Sequence, residues 1–328
     1  MIKLRRIARI TKAKSFLFGI ITLIILTGFL SDSLDAMSWP SGDAGLVHNF
    51  GANNNGKPVL GMVFSGGTDV LAAESGEVIF SREKNDMQTG FAASRLPSPL
   101  GAWTAIDHGD GLISIYSRYS DDSDKLRTAD EAQTETITKV EKEQAIASSG
   151  ISGWSTQNGF YFMVFDRRER RWVNPAMIIT PRQETRPPQI LSVDLRNAQG
   201  SIVLSRNLTQ GRYAVLVNVA GGSARSSVEV SRGTFQRAGV TAQYAPHRIV
   251  CSVNGAEVGS LSFEAVSARD GILMVSRNGL VPVRQVYANY PAFEAAEVFL
   301  TRGQITLEVI VQDITGASHS VSNRLIVN

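Results

Sequence analysis

Few side chains in this sequence could carry catalysis. Metal-assisted hydrolysis needs about three protein ligands and an open coordination position for water. The 328 residues hold four histidines, His48, His108, His247 and His319, and one cysteine, Cys251, and no metal-ligand motif joins them. Asp69, Glu74 and Asp107 could ligate as carboxylates, but without imidazole or thiolate company they suit a hydrolytic zinc poorly. His108 sits in the turn His108-Gly109-Asp110-Gly111, where a polar ring bonds to backbone, and His48 beside Phe50-Gly51 reads as structural. Two groups remain that could recognise a ligand instead of cleaving it. Arg167-Arg168-Glu169-Arg170-Arg171 is either a solvated hairpin tip or a docking point for carboxylates, which arginine binds bidentately. Trp103, Trp154, Phe160 and Tyr161 either fill a core or line a groove.

The elements that must position these side chains are strands. Gly76-Glu77-Val78-Ile79-Phe80, Trp103-Thr104-Ala105-Ile106, Leu112-Ile113-Ser114-Ile115-Tyr116 and Tyr161-Phe162-Met163-Val164-Phe165 are short, rich in β-branched and aromatic residues, and bounded by Gly, Asn, Asp and Ser. The turn at 108–111 reads as a hairpin. Outside the N-terminal segment no stretch keeps a helical period over a dozen residues; 128–140 is too polar to be an amphipathic helix and reads as a loop, as does 86–100 with Pro97 and Pro99.

A polar, proline-rich run at 181–188 reads as a linker over 182–188. Beyond it, strand-length runs resume at Ile190, Gly211, Val228, Ile249, Gly271 and Ile305. That rhythm over residues 189–328 predicts an immunoglobulin-like β-sandwich, without the Cys…Trp…Cys pattern of antibody domains. Gly211-x-Tyr213-x-Val215 and Asp313-Ile314-Thr315-Gly316 resemble strand and turn ends of bacterial envelope sandwich modules. Cys251 shares a strand face with Ile249 and Val253, which predicts a small buried hydrophobe.

The sequence pI near 9.0 suggests nucleic acid, and the charge distribution excludes it. Of 33 basic and 30 acidic residues, six basic (Lys3, Arg5, Arg6, Arg9, Lys12, Lys14) and two acidic (Asp32, Asp35) precede Met37. The remainder carries 27 against 28 and leaves no stripe for phosphates. Those leading cations precede the uncharged apolar run 16–30. Its length suits a signal peptide better than a spanning helix of about 20 residues. Residues 1–36 are therefore expected to be a signal peptide or a retained anchor, with the body in the periplasm or cell envelope beyond a bacterial inner membrane.

Residues 39–180 resemble a LytM or lysostaphin-like peptidoglycan endopeptidase domain. The segments that carry the resemblance are Trp39-Pro40, Phe50-Gly51, Gly67-Thr68-Asp69-Val70-Leu71-Ala72-Ala73-Glu74-Ser75-Gly76-Glu77-Val78, Ile106-Asp107-His108-Gly109-Asp110-Gly111, 146–153 and Val173-Asn174-Pro175. In that register Lys57 and Gly61 stand where the family's His-x-Gly-x-Asp supplies two zinc ligands. Arg118 replaces the histidine of Tyr-x-His, and Gly159 and Tyr161 replace both histidines of His-Leu-His.

The resemblance implies an all-β chain: a LytM-type β-sheet domain, barrel-sandwich hybrid-like, over residues 37–181, then the sandwich over 189–328. It implies a pseudo-peptidase without cofactor that binds peptidoglycan or regulates a cell-wall hydrolase or envelope complex. Its expected groove residues are Arg118, Trp154, Phe160 and Tyr161. The alternatives are an active metalloendopeptidase with an atypical metal site and a structural envelope spacer.

Overall fold

Short runs rich in β-branched and aromatic residues make almost every element a strand; the described helices are the short α-helix Val283–Tyr287 and the 3-10 turn Pro175–Met177. The computed structural model describes residues 36–82, 98–120, 139–181, 187–203, 207–221 and 244–328. The expected export segment at 16–30, most of both long loops and residues 182–186 of the expected linker lie outside them. Among the described residues no helix is long and apolar enough to cross a membrane.

In the first half, the Gly159–Asp166 strand is central. One edge pairs with Leu112–Tyr119, in the register Tyr161↔Ser117 to Asp166↔Leu112. The other edge is shared by Met62–Ser65, with Gly159↔Ser65, and Arg171–Val173, with Val164↔Val173. Leu112–Tyr119 continues the ladder through Ala102–Asp107 to Gly76–Arg82. The hairpin expected at 108–111 forms between two of these strands. Asp107 accepts from the Gly109 N–H, Asp110 from the Leu112 N–H, and both Gly109 and Gly111 take positive φ, which glycine adopts without a Cβ penalty. Tyr116 is fully buried and its hydroxyl accepts from the Ala73 N–H at 2.7 Å; burial pushes its pKa up to about 12.

The second half is two facing sheets. One runs Ile202–Val203, Gln189–Asn197, Gly211–Ala220, Phe293–Leu300; the other includes Ser318–Val327, Gly303–Gln312, Arg248–Val253 and Ala256–Arg269. Val215 and Val217 of the first meet Ile249, Cys251, Leu261, Leu307 and Val309 of the second in one apolar cluster. The sheets approach so closely that a Cβ on Gly259 would lie 2.4 Å from Ala296 Cβ. Cys251 is completely buried, and burial pushes its thiol up to about 12.

The two stretches expected as separate domains share this packing. Arg171–Val173 pairs with Ala256–Arg269 through Trp172↔Val266, and Phe50 lies in the sandwich's own apolar cluster. Asn49 bonds both the carbonyl and the N–H of Ala245. The Tyr287 hydroxyl donates to Gly51 O at 2.8 Å, while Asn53 donates to Tyr287 O. Residues Ser38–Asn328 accordingly cluster as one compact unit.

Candidate functional site

The strand register brings the sequence-predicted positions together. Lys57 lies on Lys57–Pro58, a two-residue strand hairpinned to Asn53–Asn54. Gly61 immediately precedes Met62–Ser65, and Arg118 lies near the end of Leu112–Tyr119 with φ +64°. Gly159 and Tyr161 point to one side of the strand that joins those two. Lys57, Arg118, Gly159 and Tyr161 line one open groove of about 480 Å³, together with Trp154 and His48. Its described lining includes Lys57 and Arg118 as cations and neither aspartate nor glutamate, so its charge favours an anionic ligand.

Not every expected groove residue offers its side chain. Trp154 does, at 73% exposure. Phe160 is among the groove's lining residues, but its ring stacks on Phe64 at 4.8 Å and is 1% exposed. Tyr161 is only 8% exposed and packs with Ala52, Val59 and Met163. Its hydroxyl accepts from the Leu60 N–H at 2.7 Å. Burial raises the Tyr161 pKa, against a smaller lowering by the Arg118 charge, so the phenol stays protonated. The Arg118 guanidinium lies over the Tyr161 ring at 5.2 Å, within cation–π range, and its Nε is buried without a hydrogen-bond partner among the described residues.

Zinc does not fit this donor set. Lysine and arginine are cations at neutral pH and ligate only after a costly deprotonation, and the Tyr161 oxygen is engaged with Leu60. The two glycines are closed by backbone. A Cβ on Gly61 would lie 2.1 Å from Phe162 O, and one on Gly159 would lie 2.2 Å from Phe64 O. Neither an aspartate nor a histidine can stand there without moving a strand.

The remaining candidates are engaged elsewhere. Glu74 pairs with Lys142 at 3.0 Å, Asp107 with Arg167 at 3.1 Å, and Asp69 accepts from Ser148 at 3.3 Å. Among the described residues no three His, Cys, Asp or Glu side chains gather to hold a metal. His108 bridges Ser75 O at 2.8 Å and Ser114 Oγ at 2.9 Å. Arg167 to Arg171 turn between two strands with their backbone tied to Asp166. Trp103 stacks on Phe80 at 4.2 Å. Sequence reading missed the part of His48, which reaches the groove because Leu46–His48 pairs with Met62–Ser65 in the register His48↔Val63; only that non-local pairing reveals it.

Solved structures of M23 peptidases align with parts of the chain at TM-scores of 0.27 to 0.32. The catalytic domain of the prophage-encoded M23 protein EnpA from Enterococcus faecalis aligns at 19% identity and TM-score 0.32, over 42% of this chain and 94% of that one. A chain of the SpoIIQ-SpoIIIAH pore forming complex aligns at 21% identity and TM-score 0.33, over 45% and 92%. Lysostaphin from Staphylococcus simulans aligns at 14% identity and TM-score 0.29, over 86% and 87%. A protein-family model that carries no descriptive name matches residues 187–328. No curated protein matches the chain.

Proposed function

We propose that residues 37–181 are a non-catalytic LytM-type module of an exported cell-envelope protein. The module binds peptidoglycan, or regulates a cell-wall hydrolase or envelope complex, through the groove beside Gly159. The observation that carries this reading is backbone closure over two former ligand positions, Gly61 and Gly159, beside the cations Lys57 and Arg118. A side chain can be lost by one substitution, whereas a carbonyl at 2.1 Å from a needed Cβ belongs to a rebuilt strand contact. In place of a hydrolytic centre the groove offers a guanidinium for carboxylates and the exposed Trp154 ring for a sugar or peptide face. Residues 16–30 direct export or tether the chain, and residues 189–328 brace the module from behind.

The test is retention of the full chain on purified sacculi, with soluble muropeptides and bound metal measured in parallel. Retention without muropeptide release, weakened by Arg118→Ala and Trp154→Ala together, is the expected result. One zinc per chain, with muropeptide release abolished by chelation, would overturn it in favour of a metallopeptidase. Neither retention nor capture of a wall hydrolase would leave the spacer role.

A further inference from the structure

The rim of the groove carries apolar side chains that the fold leaves in solvent. Ile151 is 57% and Trp154 73% exposed, both on the loop that leads into Gly159–Asp166. That loop is clamped. Gly150 and Gly159 exchange N–H···O bonds at 3.0 and 2.9 Å, and the Trp154 N–H donates to Pro99 O at 3.2 Å. The buried Ser152 Oγ accepts from the Ala102 N–H at 3.1 Å. Large apolar side chains held out on a fixed backbone lose little freedom when a partner covers them, and tryptophan is enriched among the anchors of protein interfaces.

The same groove carries two cations without a counter-ion. The Arg118 guanidinium lies 5.2 Å from the centroid of the Tyr161 ring. Its Nε is buried, whereas its two Nη nitrogens bond to no described residue and are open to solvent. Lys57 is exposed, with no carboxylate paired to it among the described residues. Tyr161 ties the two positions together, its face to Arg118 and its hydroxyl to the Leu60 N–H, three residues beyond Lys57. Neither aspartate nor glutamate is in the described lining, while Asn54, Gln157 and Asn158 are exposed along it. Primary amides of that kind can pair with the N–H and C=O groups of an extended peptide.

We propose that the groove docks an acidic polypeptide segment of a partner protein, a choice of occupant that rests on this groove being the module's working surface. Carboxylates of the segment meet Lys57 and the Arg118 Nη pair, and an apolar side chain of the same segment covers Trp154 and Ile151. An arginine fork takes a carboxylate bidentately, and two cations without a counter-ion attract a segment of opposite charge before contact. A neutral glycan would leave both cations unpaired and give Ile151 nothing apolar to cover it.

The experiment measures fluorescence anisotropy of a labelled peptide that alternates glutamate and leucine, titrated with the full chain, beside the same peptide with glutamine for glutamate. Saturable binding is expected for the acidic peptide and binding at least about tenfold weaker for its amide isostere. Arg118→Ala should weaken the acidic peptide at least about tenfold, and Trp154→Ala several-fold. Lys57→Gln, at an exposed side chain, should weaken it several-fold and serves if Arg118→Ala unfolds. Arg269→Ala removes another exposed cation, outside the groove, and should leave binding unchanged. Equal binding of the two peptides, or equal losses from Arg269→Ala and Lys57→Gln, would mean diffuse attraction and overturn the docking site. Purified sacculi form the competing arm. Sacculi that bind where the peptide does not, or that displace it, would assign the groove to the wall and sink the protein partner while the groove reading stands. Binding of neither would sink both.

Discussion

The groove beside Gly159 and the seam around Phe50 are built from opposite materials. At the seam every named polar group is spent on backbone of the other half: Asn49 on Ala245, Asn53 on Tyr287, Tyr287 on Gly51. In the groove Lys57 and Trp154 stand in solvent, and the buried Arg118 Nε has no hydrogen-bond partner among the described residues. The difference teaches where substitution is cheap: on side chains that face an opening, and not at Gly61 or Gly159, where strand backbone leaves no room for a Cβ.

The largest test of that contrast goes through the groove's floor. Gly159→His should cost about 3 kcal/mol or more and restore no hydrolysis, because the new Cβ meets the Phe64 carbonyl at 2.2 Å. Urea unfolding measures it, and a stable, wild-type-like Gly159→His would break the claim that the backbone has closed. In the sandwich core, Cys251→Ser should cost about 1–3 kcal/mol for a hydroxyl without a partner, and the native thiol should resist a bulky maleimide.

The same burial sets an alkaline limit. Burial lifts the Cys251 thiol from 9.0 and the Tyr116 phenol from 10.0 to about 12 each. The native state then holds protons that the unfolded chain releases, so both contributions are complete below about pH 9 and lost as pH rises through 12. The slope is at most about 1.4 kcal/mol per pH unit for each group. Denaturation at stepped pH should show Cys251→Ala flattening the profile between 9 and 12.

At the seam, Tyr287→Phe removes the donor to Gly51 O and should cost about 1–3 kcal/mol in unfolding free energy. The smallest stability effect belongs to the groove's open side. Arg118→Ala with Trp154→Ala should weaken sacculus or partner binding by about 1–2 kcal/mol while moving the thermal midpoint little. A large thermal shift would erase the distinction between groove and seam. Tyr161 is unsuited to that test, since its ring fills a core and its hydroxyl holds the Leu60 N–H.

Local pattern made much of the fold legible. β-branched and aromatic content marked the Tyr161 to Phe165 strand, the face shared by Ile249, Cys251 and Val253 marked another, and Gly109 and Gly111 marked the hairpin, because these signals depend only on neighbours in sequence. The resemblance to LytM-type domains named Lys57, Gly61, Arg118, Gly159 and Tyr161 as one set. Which of them face an opening is a matter of pairing. The Phe160 ring is covered because Phe64 stacks on it from across the register, and His48 comes to the groove because its strand pairs with Met62–Ser65. The closure over Gly61 and Gly159 and the entry of Phe50 into a core built from residues beyond 190 are likewise contacts between distant segments. Sequence determined which side chains each strand could present; only the packing of strands far apart in the chain decided which carbonyl, ring or charge each would meet.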